Sequence, residues 1–252
     1  MSSSKRIKLG ILVPSSNTSL EPLTQDIISQ LPNASIHFSR FPVTEIALSP
    51  KALARFDDGK ILSAALLLAD AQVDIIGWSG TSAGWLGLEA DRQLCRKITE
   101  QTGIKATTSV LGLCSILDKV ARGDDGRARF GLITPYVDDV QERILETFPI
   151  EGYDVAAESH LGKTANVEFA EVSEETLDKQ MTEVVKKMGD LPVKVVSTFC
   201  TDLRAAQSAR HWEKQHPGLI VADTVATVVW EMLKTLEVDQ GRLEPRGKIF
   251  QM

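Results

Sequence analysis

With 252 residues, 43% hydrophobic and 25% charged, the chain has the composition of an ordinary globular protein and length for one large or two small domains. A formal net charge of −6 and a pI near 5.3 argue against a nucleic acid partner, because phosphate binding needs a basic face. No apolar run reaches the ~18 residues of a membrane span, and Met1-Ser2-Ser3-Ser4-Lys5-Arg6 contains no apolar signal core, so neither membrane nor secretion is expected.

Strand-like and helix-like stretches alternate along the whole chain. Ile7 to Val13 is an apolar run ending at Pro14. Leu20 to Leu31 reads as a helix with Glu21 in its first turn, and Ser35 to Phe41 alternates as a strand. Ser49 to Gln72 has the period of a long amphipathic helix. Val73 to Trp78 is a buried type of strand, and Glu89 to Thr102 is a helix closed by Gly103. Lys105 to Thr108 is a short strand and Ser109 to Ala121 a helix. After the Gly123-Asp124-Asp125-Gly126 turn the order begins again. Arg129 to Ile133 is a strand ending near Pro135, Val137 to Phe148 a helix and Tyr153 to Glu158 a strand. Glu174 to Gly189 is a helix and Val193 to Thr198 a strand. Asp202 to Gln215 reads as a helix, Leu219 to Val221 as a strand and Asp223 to Leu236 as a helix.

The two passes superpose. Pro14 and Pro135 stand 121 positions apart, Gly80 and Cys200 120, and Gly103 and Gly218 115. Thr108-Ser109 and Asp223-Thr224 each precede an apolar helix. The expectation is an internal duplication in an α/β fold: two pseudo-symmetric lobes, each a parallel sheet flanked by helices, with the active site in the cleft between them. Residues 1–115, completed by 224–252, would form the N-terminal lobe, and 116–223 the C-terminal lobe. Ligands of open α/β sheets collect at strand C-termini.

Four segments fall at such ends: Pro14-Ser15-Ser16-Asn17-Thr18, Gly80-Thr81-Ser82-Ala83-Gly84, Thr134 to Asp139, and Phe199-Cys200-Thr201. They supply hydroxyls, small residues and free N–H groups but no lysine, arginine or histidine. Such a lining holds a carboxylate by neutral hydrogen bonds, each worth roughly 1.5–3 kcal/mol to a charged acceptor. Cys200 ends the apolar run Lys194 to Phe199 and reads as a thiol delivered to a helix start. Phe38, Phe41, Val43, Trp78 and Trp85 are candidate apolar walls. Cys95 and Cys114 fall on apolar helical faces and read as packing residues. Three cysteines, an odd number without CxxC spacing, suggest free thiols in a reducing, cytoplasmic setting. The four histidines form no HxH or HExxH pattern, which argues against zinc. Asp138-Asp139 and Glu174-Glu175 read as helix N-terminal charges. For Thr81, Ser82 and Asn17, helix capping is the competing reading.

These stretches, with Cys-Thr-Asp-Leu-Arg at 200–204 and Tyr-Val-Asp-Asp at 136–139, resemble the aspartate/glutamate racemase superfamily, in its arylmalonate decarboxylase and maleate isomerase branch. The resemblance runs from about Lys8 to Leu236 and implies two pseudo-symmetric lobes and chemistry without metal or organic cofactor. Racemases and maleate isomerases of this kind carry a cysteine in each lobe. Arylmalonate decarboxylases have glycine followed by Thr-Ser in the first lobe and keep the second cysteine, as Gly80, Thr81, Ser82 and Cys200 do here. By that match Cys200 protonates a carbanion, Thr81, Ser82 and Tyr136 bind the retained carboxylate, and Pro14, Ser15, Asn17, Val43 and Thr201 line the substrate side. Where this branch often has serine or threonine, this chain has Asp223.

The expected activity is decarboxylation of a small substituted malonate or related dicarboxylate. Isomerisation of maleate type and racemisation are the alternatives, and a non-catalytic dicarboxylate binder is a third class. Gly80→Cys, by restoring a second thiol, is expected to introduce racemisation. The sequence leaves oligomeric state, a homo-oligomer included, open.

Overall fold

The computed structural model describes residues 6–43 and 58–252. The first half runs β1 (Ile7–Pro14), α1 (Leu20–Ile28), β2 (Ala34–Phe41), α2 (Asp58–Asp70), β3 (Ile75–Trp78), the four-residue α3 (Ala83–Leu86), α4 (Leu88–Thr102), β4 (Ala106–Thr108) and α5 (Ser109–Val120). The second half runs β5 (Ala128–Thr134), α6 (Asp138–Ile150), β6 (Tyr153–His160), the four-residue α7 (Asn166–Phe169), α8 (Glu174–Lys187), β7 (Lys194–Thr198), α9 (Ala209–Gln215), β8 (Leu219–Val221) and α10 (Thr224–Thr235). The stretch 49–57 of the expected long helix lies outside the described residues.

Each half builds one four-stranded parallel sheet, in the orders β2-β1-β3-β4 and β6-β5-β7-β8. The two orders are the same when counted from the start of each half, as a duplicated unit requires. β1 lies inside its sheet and is buried from Leu9 to Pro14, which is why it reads as a near-continuous apolar run rather than an alternating one. Pairing aligns Leu12 with Trp78 and Trp78 with Thr108, so β3 and β4 end level with one another and β1 runs two residues further, to Pro14. Gly80 and Cys200 each stand two residues beyond their strands, β3 and β7. No described helix is long and apolar enough to cross a membrane.

The superposition of Thr108-Ser109 on Asp223-Thr224 has a direct structural counterpart. Thr108 caps α5 by accepting from the Leu111 amide at 3.0 Å, and Asp223 caps α10 by accepting from the Val225 amide at 2.9 Å. The two helices then lock together: the Ser109 hydroxyl donates to the Thr224 carbonyl at 2.7 Å and the Thr227 hydroxyl to that of Ser109 at 2.8 Å. α10 also packs on α1, β3 and β4. Asp223 therefore serves the fold, and burial pushes its carboxyl up to about 6 against the Thr198 hydroxyl and two amides that favour its charge.

One expected helix is corrected. Residues 202–215 do not form a single helix; turns follow Cys200, a 3-10 turn covers Ala206–Ser208, and α9 begins only at Ala209. The cause lies in the other half of the chain. The Asp202 carbonyl accepts from the Ser19 hydroxyl at 2.9 Å, and its carboxylate accepts from the Thr18 and Ser19 amides, both at 3.0 Å. These partners draw the Asp202 groups outward, away from a helical ladder.

Candidate active site

The sheet ends face each other across a cleft, and the chain closes a small cavity there. Among the described residues its walls are Pro14, Val43, Trp78, Gly80, Thr81, Ser82, Trp85, Tyr136, Asn166, Cys200 and Thr201. None of these side chains carries a formal charge. The void is tight, about 20 Å³. That is room for about one water.

Cys200 is buried, with 3% of its surface exposed. Burial pushes its thiol up to about 12, and the nearby Asp202 carboxylate adds to the rise. The amide N–H groups of Asp202 and Leu203 and the Tyr136 hydroxyl favour the thiolate but do not outweigh burial. With no α-helix starting at this residue, the helix-terminus argument for a lowered pKa does not apply. Cys200 remains a thiol at neutral pH and is equipped to donate a proton.

Tyr136 joins the two lobes at the thiol. Its hydroxyl and that of Thr81 are 2.7 Å apart, and it also hydrogen-bonds with Cys200. Edge-on rings hold it, Trp85 at 5.5 Å and Phe169 at 5.7 Å between centroids. Burial holds its phenol well above the usual tyrosine range, so it too is a neutral donor. Ser82 occupies the N-cap position of α3 without making a side-chain cap bond, which leaves its hydroxyl for the cavity. Gly84 lets α3 approach the second lobe, since a β-carbon there would stand 2.7 Å from the Phe199 ring.

The stretch after β1 divides its labour. Pro14 lines the cavity. Asn17 is both cap and bridge: its carbonyl oxygen accepts from the Ser19 and Leu20 amides at the start of α1, and its amide donates to the Thr201 hydroxyl at 3.1 Å. Ser15 is displaced from the expected place. It is exposed and not part of the cavity wall; its hydroxyl donates to the Val43 carbonyl and accepts from the Val43 amide, fixing Val43 in the wall. Phe41 stands behind Trp78 at 5.0 Å, and Phe38 packs elsewhere, in the cluster around Val225 and Trp230.

Asn166 is a wall residue that sequence reasoning did not single out. The β6–α7 connection is folded back by hydrogen bonds from the Gly162 amide to the Tyr136 carbonyl and from the Lys163 amide to that of Pro135, at 2.9 and 2.8 Å. Asn166 then reaches across to donate to the Ser16 hydroxyl at 3.0 Å. Cys95 and Cys114 lie outside the cavity and are free thiols, as is Cys200. Among the described residues no cluster of three or more His, Cys, Asp and Glu side chains has the arrangement to hold a metal ion.

A family model described as arylmalonate decarboxylase matches residues 9–250. The chain belongs to the arylmalonate decarboxylase family. It is an enzyme of that family, in the branch that also includes maleate isomerases. Maleate isomerase of Geobacillus stearothermophilus is 21% identical over 243 residues, 93% of each chain. Among solved structures, the Nocardia farcinica maleate cis-trans isomerase variant with a covalently bound succinylcysteine intermediate superposes with a TM-score of 0.83 at 19% identity, over 97% of this chain and 98% of that one. A liganded variant of arylmalonate decarboxylase superposes with a TM-score of 0.77 at 17% identity, over 98% and 99%. At such identities the structural likeness establishes the shared fold of two parallel-sheet lobes.

Proposed function

We propose that this member of the arylmalonate decarboxylase family is a cofactor-independent decarboxylase of a small substituted malonate. The observation that carries the reading is the lone cavity thiol of Cys200, kept protonated by burial, beside the neutral donors Tyr136 and Thr81. One substrate carboxylate is held by Thr81, Ser82 and Tyr136. The bond from the α-carbon to the other carboxylate breaks and CO2 leaves. The electron pair moves into the retained carboxylate, giving an enediolate. Preorganised O–H donors stabilise that charge as it develops. Cys200 Sγ–H then protonates the α-carbon, and the thiolate takes a proton back from water.

Covalent isomerisation is a weaker fit. Attack on a double bond needs a thiolate, and among the described residues the one cysteine in the cavity wall has its thiol pushed up to about 12. The position equivalent to a first-lobe thiol is Gly80.

The test is turnover. Purified protein incubated separately with methylmalonate, phenylmalonate and maleate is expected to release CO2 from a malonate and to form no fumarate. Fumarate from maleate without CO2 from any malonate overturns the reading in favour of isomerisation. Binding without turnover overturns it in favour of a binder.

The pH profile follows from the donor. A proton donor works below its own pKa, so a thiol raised to about 12 keeps the alkaline limb far from neutrality. Decarboxylation is expected to hold level from pH 7 to about 10 with no fall attributable to Cys200. Iodoacetamide should modify Cys200 slowly at pH 8, because only about one thiol in 10⁴ is then ionised. Rapid modification, or an alkaline fall near pH 8 lost in Cys200→Ser, contradicts this.

A further inference from the structure

Trp78 is fully buried, with 1% of its surface exposed, and belongs to the cavity wall. Its indole Nε1–H has no hydrogen-bond partner among the described residues. Leaving a buried donor unsatisfied is costly, and such an orphan in a native site calls for an explanation. The ring is not loosely placed. Phe41 packs against it with centroids 5.0 Å apart and planes at 53°. The absence of a side chain at Gly80 makes room for it: a β-carbon there would overlap Cζ2 and Cε2 and stand 2.6 Å from Cη2. These distances lay position 80 against the benzo half of the indole face.

We propose that Trp78 is a substrate-binding residue whose indole N–H donates to a carboxylate oxygen of the bound diacid. This rests on the decarboxylase reading and deepens it. Tyr136 and Thr81 hydrogen-bond each other, whereas the indole is a donor without a partner among the described residues. An acid oxygen arriving there gains a hydrogen bond and relieves a buried polar group. The indole also occupies the room of a residue-80 side chain, so one ring narrows the pocket towards small diacids and supplies a neutral donor to them.

The experiment separates the N–H from the bulk of the ring. Trp78→Phe keeps an aromatic wall and removes the donor. Its kcat/KM for the malonate that wild type turns over best is expected to fall by about 10- to 100-fold, the range for a lost hydrogen bond to a charged group. In parallel, the Trp78 indole N–H resonance is followed in Cys200→Ala protein as that malonate is added. It is assigned by its proximity to Phe41 and Gly80, as well as by its loss in Trp78→Phe. A downfield shift on binding is expected. An indole resonance that stays in place while other cavity resonances respond overturns the proposal, whatever the kinetics of Trp78→Phe. So does a well-folded Trp78→Phe with kcat/KM within two-fold of wild type. If wild type neither binds nor decarboxylates any malonate, the functional reading fails first and this proposal falls with it; if wild type decarboxylates and the indole is indifferent, this proposal fails alone.

Discussion

Cys200→Ala is expected to lower decarboxylation by about 10²- to 10⁴-fold, the range a positioned general acid contributes, while the protein still folds and still binds a malonate. The donor alone is removed. Thr81, Ser82 and Tyr136 remain, so the hydroxyls assigned to the acid in the proposed mechanism are intact. The change deletes one buried sulfur from a side chain that is 3% exposed, and a buried cysteine packs as a small hydrophobe. The stability loss should therefore be about 1 kcal/mol. Steady-state CO2 release, thermal melting and calorimetric binding of the same malonate check the three parts together. Turnover within ten-fold of wild type, in a variant that binds normally, would remove Cys200 from the chemistry.

Gly80→Cys is expected to destabilise the protein rather than to create a racemase. This corrects the expectation drawn from sequence, which treated position 80 as an open place for a second thiol. Trp78 already fills that place, and a β-carbon at 80 would overlap its indole. Overpacking a rigid core costs about 1–3 kcal/mol. For a chain of this size that corresponds to a melting temperature lower by roughly 2–12 °C. Shrinking the obstruction should recover much of the loss, so Gly80→Cys combined with Trp78→Leu is expected to melt well above the sum of the two single effects. Additive losses, or Gly80→Cys melting like wild type, would show that the indole yields easily. Exchange of α-deuterium in amino acids, measured on both variants, then shows whether a second thiol suffices for racemisation once room exists.

Much of the fold could be read from the chain because its signal is repetitive. Apolar strand runs ending in Pro14, Trp78, Thr134 and Thr198 recur at a near-constant offset, and both sheets take the same strand order. Gly80, Thr81, Tyr136 and Cys200 were legible because parallel strands bring their C-terminal ends together. Three features were not. Ser15 and Ser16 carry the same hydroxyl, and only the path of the chain towards Val43 decides that Ser15 faces solvent. Asn166 lies in a four-residue helix with no periodicity to mark it, held over the site by main-chain bonds. The turn after Cys200 depends on Asp202 meeting Thr18 and Ser19, 184 and 183 positions away in sequence, a contact no local pattern encodes. Trp78 was visible as a wall, but its hold on the space beside Gly80 depends on which way an indole points in an all-apolar strand.

The bonds from Asn17, Thr18 and Ser19 to Thr201 and Asp202 also bear on how the molecule comes apart. They rivet the two halves beside Cys200. If one half melted alone, buried amides and a carboxylate on the other would lose their partners, so neither half has an economical way to unravel by itself. Heat or denaturant should produce a single sigmoidal transition, with activity and far-ultraviolet ellipticity vanishing in step. Asp202→Ala should be the variant that splits that curve into two.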